Sequence, residues 1–144
     1  MTLVDTSAWV EFLRSTGSDT HRAVRQLLEE DAPLHTTDIV VMEILAGARD
    51  DDHLQQLRRL LARCEYLPIE GLATYEAAAG LARSCRRAGE TVRALTDCLT
   101  AAVALRLGVS ILHNDRDFDV LARHAGVAAQ RAQPTRPEDW SKRP

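Results

Sequence analysis

Met1-Thr2-Leu3-Val4-Asp5-Thr6-Ser7 opens the chain, and the reading of this stretch decides the fold. Leu3 and Val4 begin a short apolar strand. Asp5 follows at once, and Thr6 and Ser7 then offer side-chain oxygens to cap a helix starting near Ala8. An acid at the carboxyl end of a buried strand, facing a helix N-terminus, stands where open α/β sheets bind their ligands. Aspartate is also a favoured helix cap, so Asp5 alone supports either a cap or a ligand.

The same grammar returns late in the chain. Val109-Ser110-Ile111-Leu112 reads as a strand, and His113-Asn114-Asp115-Arg116-Asp117-Phe118 turns from it into a helix running to about Ala125. Between the two lie helices over 21–30, 39–46, 53–63, 71–88 and 97–107, with brief strands at 34–36 and 64–68; a last edge strand is expected after them at 127–129. Thr37 or Asp38 is expected to cap the third helix, and Thr96 the helix from Asp97. In the helix 71–88, Leu72, Tyr75, Ala79 and Ala82 are the expected inward face, with Arg83, Arg86 and Arg87 opposite. Strands alternating with helices predict an α/β fold with a mainly parallel sheet of four to five short strands, covered on both faces.

Composition narrows the class. At 144 residues one domain is expected, and 45% hydrophobic residues exclude a mainly disordered chain. No apolar run is long enough to span a bilayer, and the N-terminus lacks the pattern of a secretory signal, so a cytoplasmic location is expected. Cys64, Cys85 and Cys98 are odd in number and lack paired spacing, which predicts buried, reduced thiols. The scattered histidines form no zinc-binding pair. A net charge of −3 gives no global attraction to nucleic acid. Arginine outnumbers lysine 17 to one, which suits bidentate phosphate contacts but marks no site. Residues 130–144, with Pro134, Pro137 and Pro144, are expected to form a tail in which Trp140 could pack on the body.

Four acids stand in places that ask for an explanation. Glu43 lies mid-helix among Val40, Val41, Met42, Ile44 and Leu45, where an unpaired buried carboxylate would be costly. It needs an arginine, a raised pKa or a metal. Asp97 opens a helix whose 97, 100, 101 and 104 positions share one face of small residues; a surface acid favoured by the helix dipole is its bland reading. Asp115 and Asp117 follow a strand as Asp5 does, and one of them, Asp117 by expectation, only caps the next helix. Carboxylates gathered in one cleft cannot all ionise without a cation. An oxygen-only ligand set suits Mg²⁺, with Mn²⁺ as a substitute.

Four stretches together resemble the PIN-domain nucleases. They are Leu-Val-Asp-Thr-Ser-Ala from Leu3, Thr-Asp-Ile-Val-Val-Met-Glu-Ile-Leu-Ala-Gly from Thr37, and Leu-Thr-Asp-Cys-Leu-Thr-Ala-Ala-Val-Ala from Leu95 with Ile-Leu-His-Asn-Asp-Arg-Asp-Phe-Asp from Ile111. Each is weak singly; their order and spacing are specific, and with the short length they are similar to VapC-type ribonuclease toxins of type II toxin–antitoxin pairs. The resemblance implies a three-layer α/β/α domain over residues 1–129. It implies a Mg²⁺-dependent endoribonuclease, usually dimeric, that is inhibited by a VapB-type antitoxin. It carries Asp5, Glu43, Asp97 and Asp115 over as catalytic acids, with metal at Asp5, Asp97 and Asp115, and Glu43 and Asp117 as further candidates. His113-Asn114 stands where the family often has Thr before the acid, so Asp115 and Asp117 both remain open.

The expected reaction is hydrolysis of an RNA phosphodiester by metal-activated water. Thr6 and Thr96 could orient carboxylates, and Arg83, Arg86, Arg87 and Arg93 could touch phosphates. Apolar stretches at Trp9–Leu13 and Ile39–Ala46 predict an exposed groove for a partner. An aspartyl phosphatase would need a second Asp two positions after Asp5, where Ser7 stands. A catalytically inactive binding module on the same fold is the alternative of another class.

Overall fold

Strand β1 (Thr2–Val4) runs through the middle of a five-stranded sheet that also contains β2 (Leu34–Thr37), β3 (Glu65–Leu67), β4 (Ser110–Leu112) and β5 (Ala129–Gln130). The computed structural model describes residues 1–134, and the expected packing of Trp140 lies outside the described residues. The order across the sheet is β3-β2-β1-β4-β5, and every pairing is parallel. Chain order therefore reverses between β1 and β4, and this switch point opens a crevice at the carboxyl ends of both strands. Leu3, Val4 and Ile111 are fully buried, as strands covered by helices on both faces must be.

Seven helices flank the sheet among the described residues: α1 (Thr6–Leu13), α2 (Asp19–Glu29), α3 (Asp38–Ala46), α4 (Asp51–Leu61), α5 (Gly71–Arg87), α6 (Leu95–Leu107) and α7 (Arg116–His124). None is long and apolar enough to cross a membrane. Trp9 and Phe118 are the largest fully buried side chains.

Several helix starts differ from expectation, each for a local reason. α1 begins at Thr6 because Asp5 itself is the cap, not Thr6 or Ser7. Asp50 caps α4, and Asp51 and Asp52 fill its first turn, where the helix dipole favours acids; the helix therefore starts before His53. α6 starts at Leu95 with Ala94 as its uncapped N-cap, so Thr96 lies inside the helix and caps nothing. Its other end meets expectation: Gly108 closes it at φ +66°, a left-handed conformation that glycine adopts without strain.

The inner face of α5 is also not the expected one. Leu72 and Tyr75 are exposed, at 72% and 52%, while Thr74, Ala78 and Cys85 are buried. The partner helix explains this. α5 packs against α6 on the side of Ala102 and Arg106, which share a cavity wall with Ala73, Thr74 and Ala77, and Arg106 donates to Thr74 Oγ1 at 3.0 Å. Small side chains on both helices let the backbones approach closely, so the bulkier pair is left outside. α3 is buried on one side only. Ile39, Val40 and Ile44 are buried, Met42 is 55% exposed and Glu43 is exposed, because nothing among the described residues covers the outer side.

Neighbouring alanines on opposite faces of α5 test this packing. Ala78→Leu should destabilise the fold by roughly 1–3 kcal/mol through overpacking, whereas Ala79→Leu, on the exposed side, should change it by less than about 0.5 kcal/mol. Denaturant midpoints of the two variants check the difference; equal midpoints would contradict it.

Candidate active site

Asp5 leaves β1 into the crevice and is buried. Its amide donates to Leu112 O at 3.0 Å, which completes the pairing with β4. Its Oδ2 accepts two bonds from Ser7, from the amide at 2.9 Å and from the hydroxyl at 2.6 Å. The Ser7 hydroxyl in turn accepts the Asn114 amide at 2.9 Å. One side chain thus ties the turn after β1 to the turn after β4.

The turn after β4 settles which of its two acids caps α7, and the expectation is reversed. Asp115 is the N-cap, its Oδ1 accepting from Asp117 N at 2.8 Å. Asp117 is the more deeply buried of the two, and its oxygens accept from the amides of Arg93 and Ala94, both at 3.0 Å. Those amides precede α6, so Asp117 anchors the entry to the helix in whose first turn Asp97 stands. His113 is buried beneath the turn, and its Nδ1 accepts the Asp115 amide at 3.2 Å. The ring proton therefore resides on Nε2. Burial holds this imidazole below the usual histidine range.

Asp97, Asp115 and Asp117 each offer a carboxylate oxygen within 4.8 Å of the others. Asp97 is 9% exposed, and its Oδ2 is buried without a hydrogen-bond partner. Burial foremost, then the Asp5 charge and a bond shared with Asp117, push the Asp97 carboxyl up to about 8. Asp5 is raised too, chiefly by burial and partly by Glu43, against the Ser7 bonds that favour its charged form. Glu43 reaches the rim of the crevice from α3 and accepts from Thr6 Oγ1 at 3.2 Å. It is exposed rather than buried, so the expected cost of an interior carboxylate does not arise.

The structure thus brings Asp97, Asp115 and Asp117 together, sets Asp5 beside them, and leaves Glu43 at the edge. Thr6 serves Glu43. The Thr96 hydroxyl reaches no carboxylate among the described residues. Arg93 lies at the crevice, with Nε 3.9 Å from Asp117 Oδ1; Arg83, Arg86 and Arg87 are exposed and form no ion pair among the described residues. Ser7, His113 and Asn114 are the participants that sequence reading missed. The Asp-x-Ser spacing of Asp5 and Ser7, which lets a side chain bond its own turn, was the available signal. A buried acceptor without a donor, crowded by like charges, suits a hard divalent cation held by oxygen.

Residues 2–124 match the PIN domain family. The chain is 48% identical over 130 residues to Ribonuclease VapC11 of Mycobacterium tuberculosis, covering 90% of this chain and 97% of that protein. It is 31% identical over 129 residues to Ribonuclease VapC51 of the same species, covering 89% and 90%. Among solved structures, DNA-bound VapBC from Salmonella typhimurium superposes with a TM-score of 0.73 at 17% identity, over 92% of this chain and 98% of that one.

The raised Asp97 pKa predicts a pH dependence for the metal-free protein. Folded Asp97 keeps a proton that the unfolded chain releases near 3.8. The stability this contributes is complete below that value and is lost as pH rises towards about 8. From pH 6.5 to 8, unfolding in a chelator should show a decline of roughly 1 kcal/mol per pH unit from this group. Asp97→Asn should remove that slope; an unchanged slope would refute the assignment.

Proposed function

The chain belongs to the PIN-domain family, in its VapC ribonuclease branch, and from that premise we propose that it is a metal-dependent endoribonuclease that hydrolyses RNA phosphodiester bonds. The observation that carries the reading is the buried, unpartnered Oδ2 of Asp97 at the switch point of the sheet. Asp5, Asp97 and Asp115 would hold a divalent cation, Mg²⁺ in the first instance and Mn²⁺ as a substitute. When bound, the ion neutralises the cluster, polarises the phosphodiester and favours hydroxide over water. Asp115 is preferred to Asp117 as the fourth acid, because backbone amides already engage both Asp117 oxygens.

The chain's own groups divide the remaining work. Asp117 holds α6 so that Asp97 faces Asp5 and Asp115. Ser7 keeps one oxygen of Asp5 occupied and thereby orients the other. Glu43, exposed on the rim beside Asp5, stands where a proton can be exchanged with water and with an entering substrate. Arg93, 69% exposed at the same mouth, suits contact with a neighbouring phosphate.

A VapB-type antitoxin is the proposed protein partner. A cavity of about 340 Å³ between α1, α3 and α4, lined by Val10, Leu13, Ile44 and Leu57 with Arg14 and Glu43 at its side, supports this. The pairing of VapC-like chains with VapB in the solved relatives supports it too. Exposed Leu72, Tyr75, Leu95 and Leu105 on α5 and α6 support a homodimer. The cytoplasm is the proposed location, where its RNA substrate is found.

Asp5→Asn and Asp97→Asn should each cut Mn²⁺-dependent cleavage of RNA by more than about 100-fold, through loss of several kcal/mol of charge stabilisation. Circular dichroism should be unchanged. Cleavage at the wild-type rate in either folded variant would sink the reading.

A further inference from the structure

A cation from beyond the matched 2–124 region is tied into the acid cluster. Arg131 follows β5, and its guanidinium grips both oxygens of Asp119, with Nε at 3.1 Å from each and Nη2 at 2.7 Å from Oδ2. Its Nη1 donates to Asn114 Oδ1 at 2.9 Å. Asn114 Nδ2 donates to Glu11 Oε1 at 3.1 Å. The orientation of that amide is set by its partners, oxygen toward the cation and nitrogen toward the carboxylate. From Asn114 the connection runs through its backbone amide to Ser7 Oγ, and from Ser7 Oγ to Asp5 Oδ2 at 2.6 Å. Asp119 also lies 3.7 Å from Nε2 of His113, whose Nδ1 takes the Asp115 amide.

Asn114 and Asp119 flank Asp115 in the chain, and Arg131 holds both. We propose that Arg131 is a positioning residue for the acid cluster: by clamping the Asp115 turn against Ser7, it sets the separation of Asp5 from Asp115 and so the affinity of the crevice for a divalent cation. The inference rests on the metal reading above. An ordinary exposed ion pair would contribute about 0–1 kcal/mol to folding and nothing to metal binding. Arg131 differs from such a pair by its two-pronged grip on Asp119 and its additional bond into the turn.

Calorimetric titration of the whole chain with Mn²⁺ alone tests this. Arg131→Ala and Asn114→Ala should each weaken Mn²⁺ binding by roughly 10-fold or more, and the double variant should be no weaker than the worse single one, because both break the same connection. RNA cleavage by Arg131→Ala should return towards the wild-type rate at saturating Mn²⁺. Arg123→Ala removes a different anchor of α7, the Arg123 bonds to Glu90 at 3.1 Å, and should bind Mn²⁺ as the wild type does. Unchanged affinity in Arg131→Ala, or an equal loss in Arg123→Ala, overturns the proposal. If Arg131→Ala fails to fold, Asn114→Ala decides by the same criterion. Absence of Mn²⁺ binding by the wild type would instead refute the metal reading, and this proposal with it.

Discussion

Mutual repulsion among carboxylates at one end of a parallel sheet is the constraint on which the architecture around the crevice turns. Asp5, Asp97, Asp115 and Asp117 stand close together with few cations among them, and burial makes the negative charges of Asp5 and Asp97 more costly. The fold meets this cost with backbone dipoles. Asp5 takes the Ser7 amide, Asp115 takes the Asp117 amide, and Asp117 takes those of Arg93 and Ala94. Among the described residues, Oδ2 of Asp97 is the one oxygen of the cluster that is both buried and without a donor, so the residual cost is greatest there. A hard cation would relieve it.

Those same bonds link the site to the scaffold. The amides that Asp117 receives belong to the entry of α6, so this acid also anchors the chain entering the helix that carries Asp97. Asp97 shares one side of α6 with Thr100, Ala101 and Ala104, all small and buried, while α5 packs at Ala102 and Arg106. A bulkier residue beside Asp97 would push α6 outward and withdraw Asp97 from Asp5. Packing density around α6 therefore bears on the electrostatics of a carboxylate.

Much of this was legible in the sequence, and the failures have physical reasons. Leu3-Val4-Asp5 and Ile111 to Asp115 both read as strands ending on acids, because the signal is local: an apolar run, then a polar turn. The all-parallel sheet follows from the alternation of elements, and Asp97 from its place in a first helical turn. Asp115 and Asp117 could not be told apart, since what distinguishes them is a pair of amides 24 and 23 residues away in the chain. The inner face of α5 was misread because apolar residues occur on both its sides, and the choice was made by the small residues of its neighbour. Glu43 has apolar neighbours in sequence but an uncovered helix side in space. Arg131 carries no periodic or capping signal at all; only the folded chain shows what it holds.

The register of the sheet has a consequence for the life of the chain during synthesis. Leu3 pairs with Ile111 and Val4 with Leu112, so β1, once made, waits for a strand far downstream of it in the chain. Until then β1 can pair only with β2, and the edge destined for β4 stays open. The acids are divided in the same way, Asp5 at the start and Asp97, Asp115 and Asp117 near the end. A nascent chain, or one broken off before residue 110, therefore holds no complete crevice. The chemistry is withheld by topology until β4 and the turn after it have been made, a built-in delay for a protein whose proposed substrate is RNA.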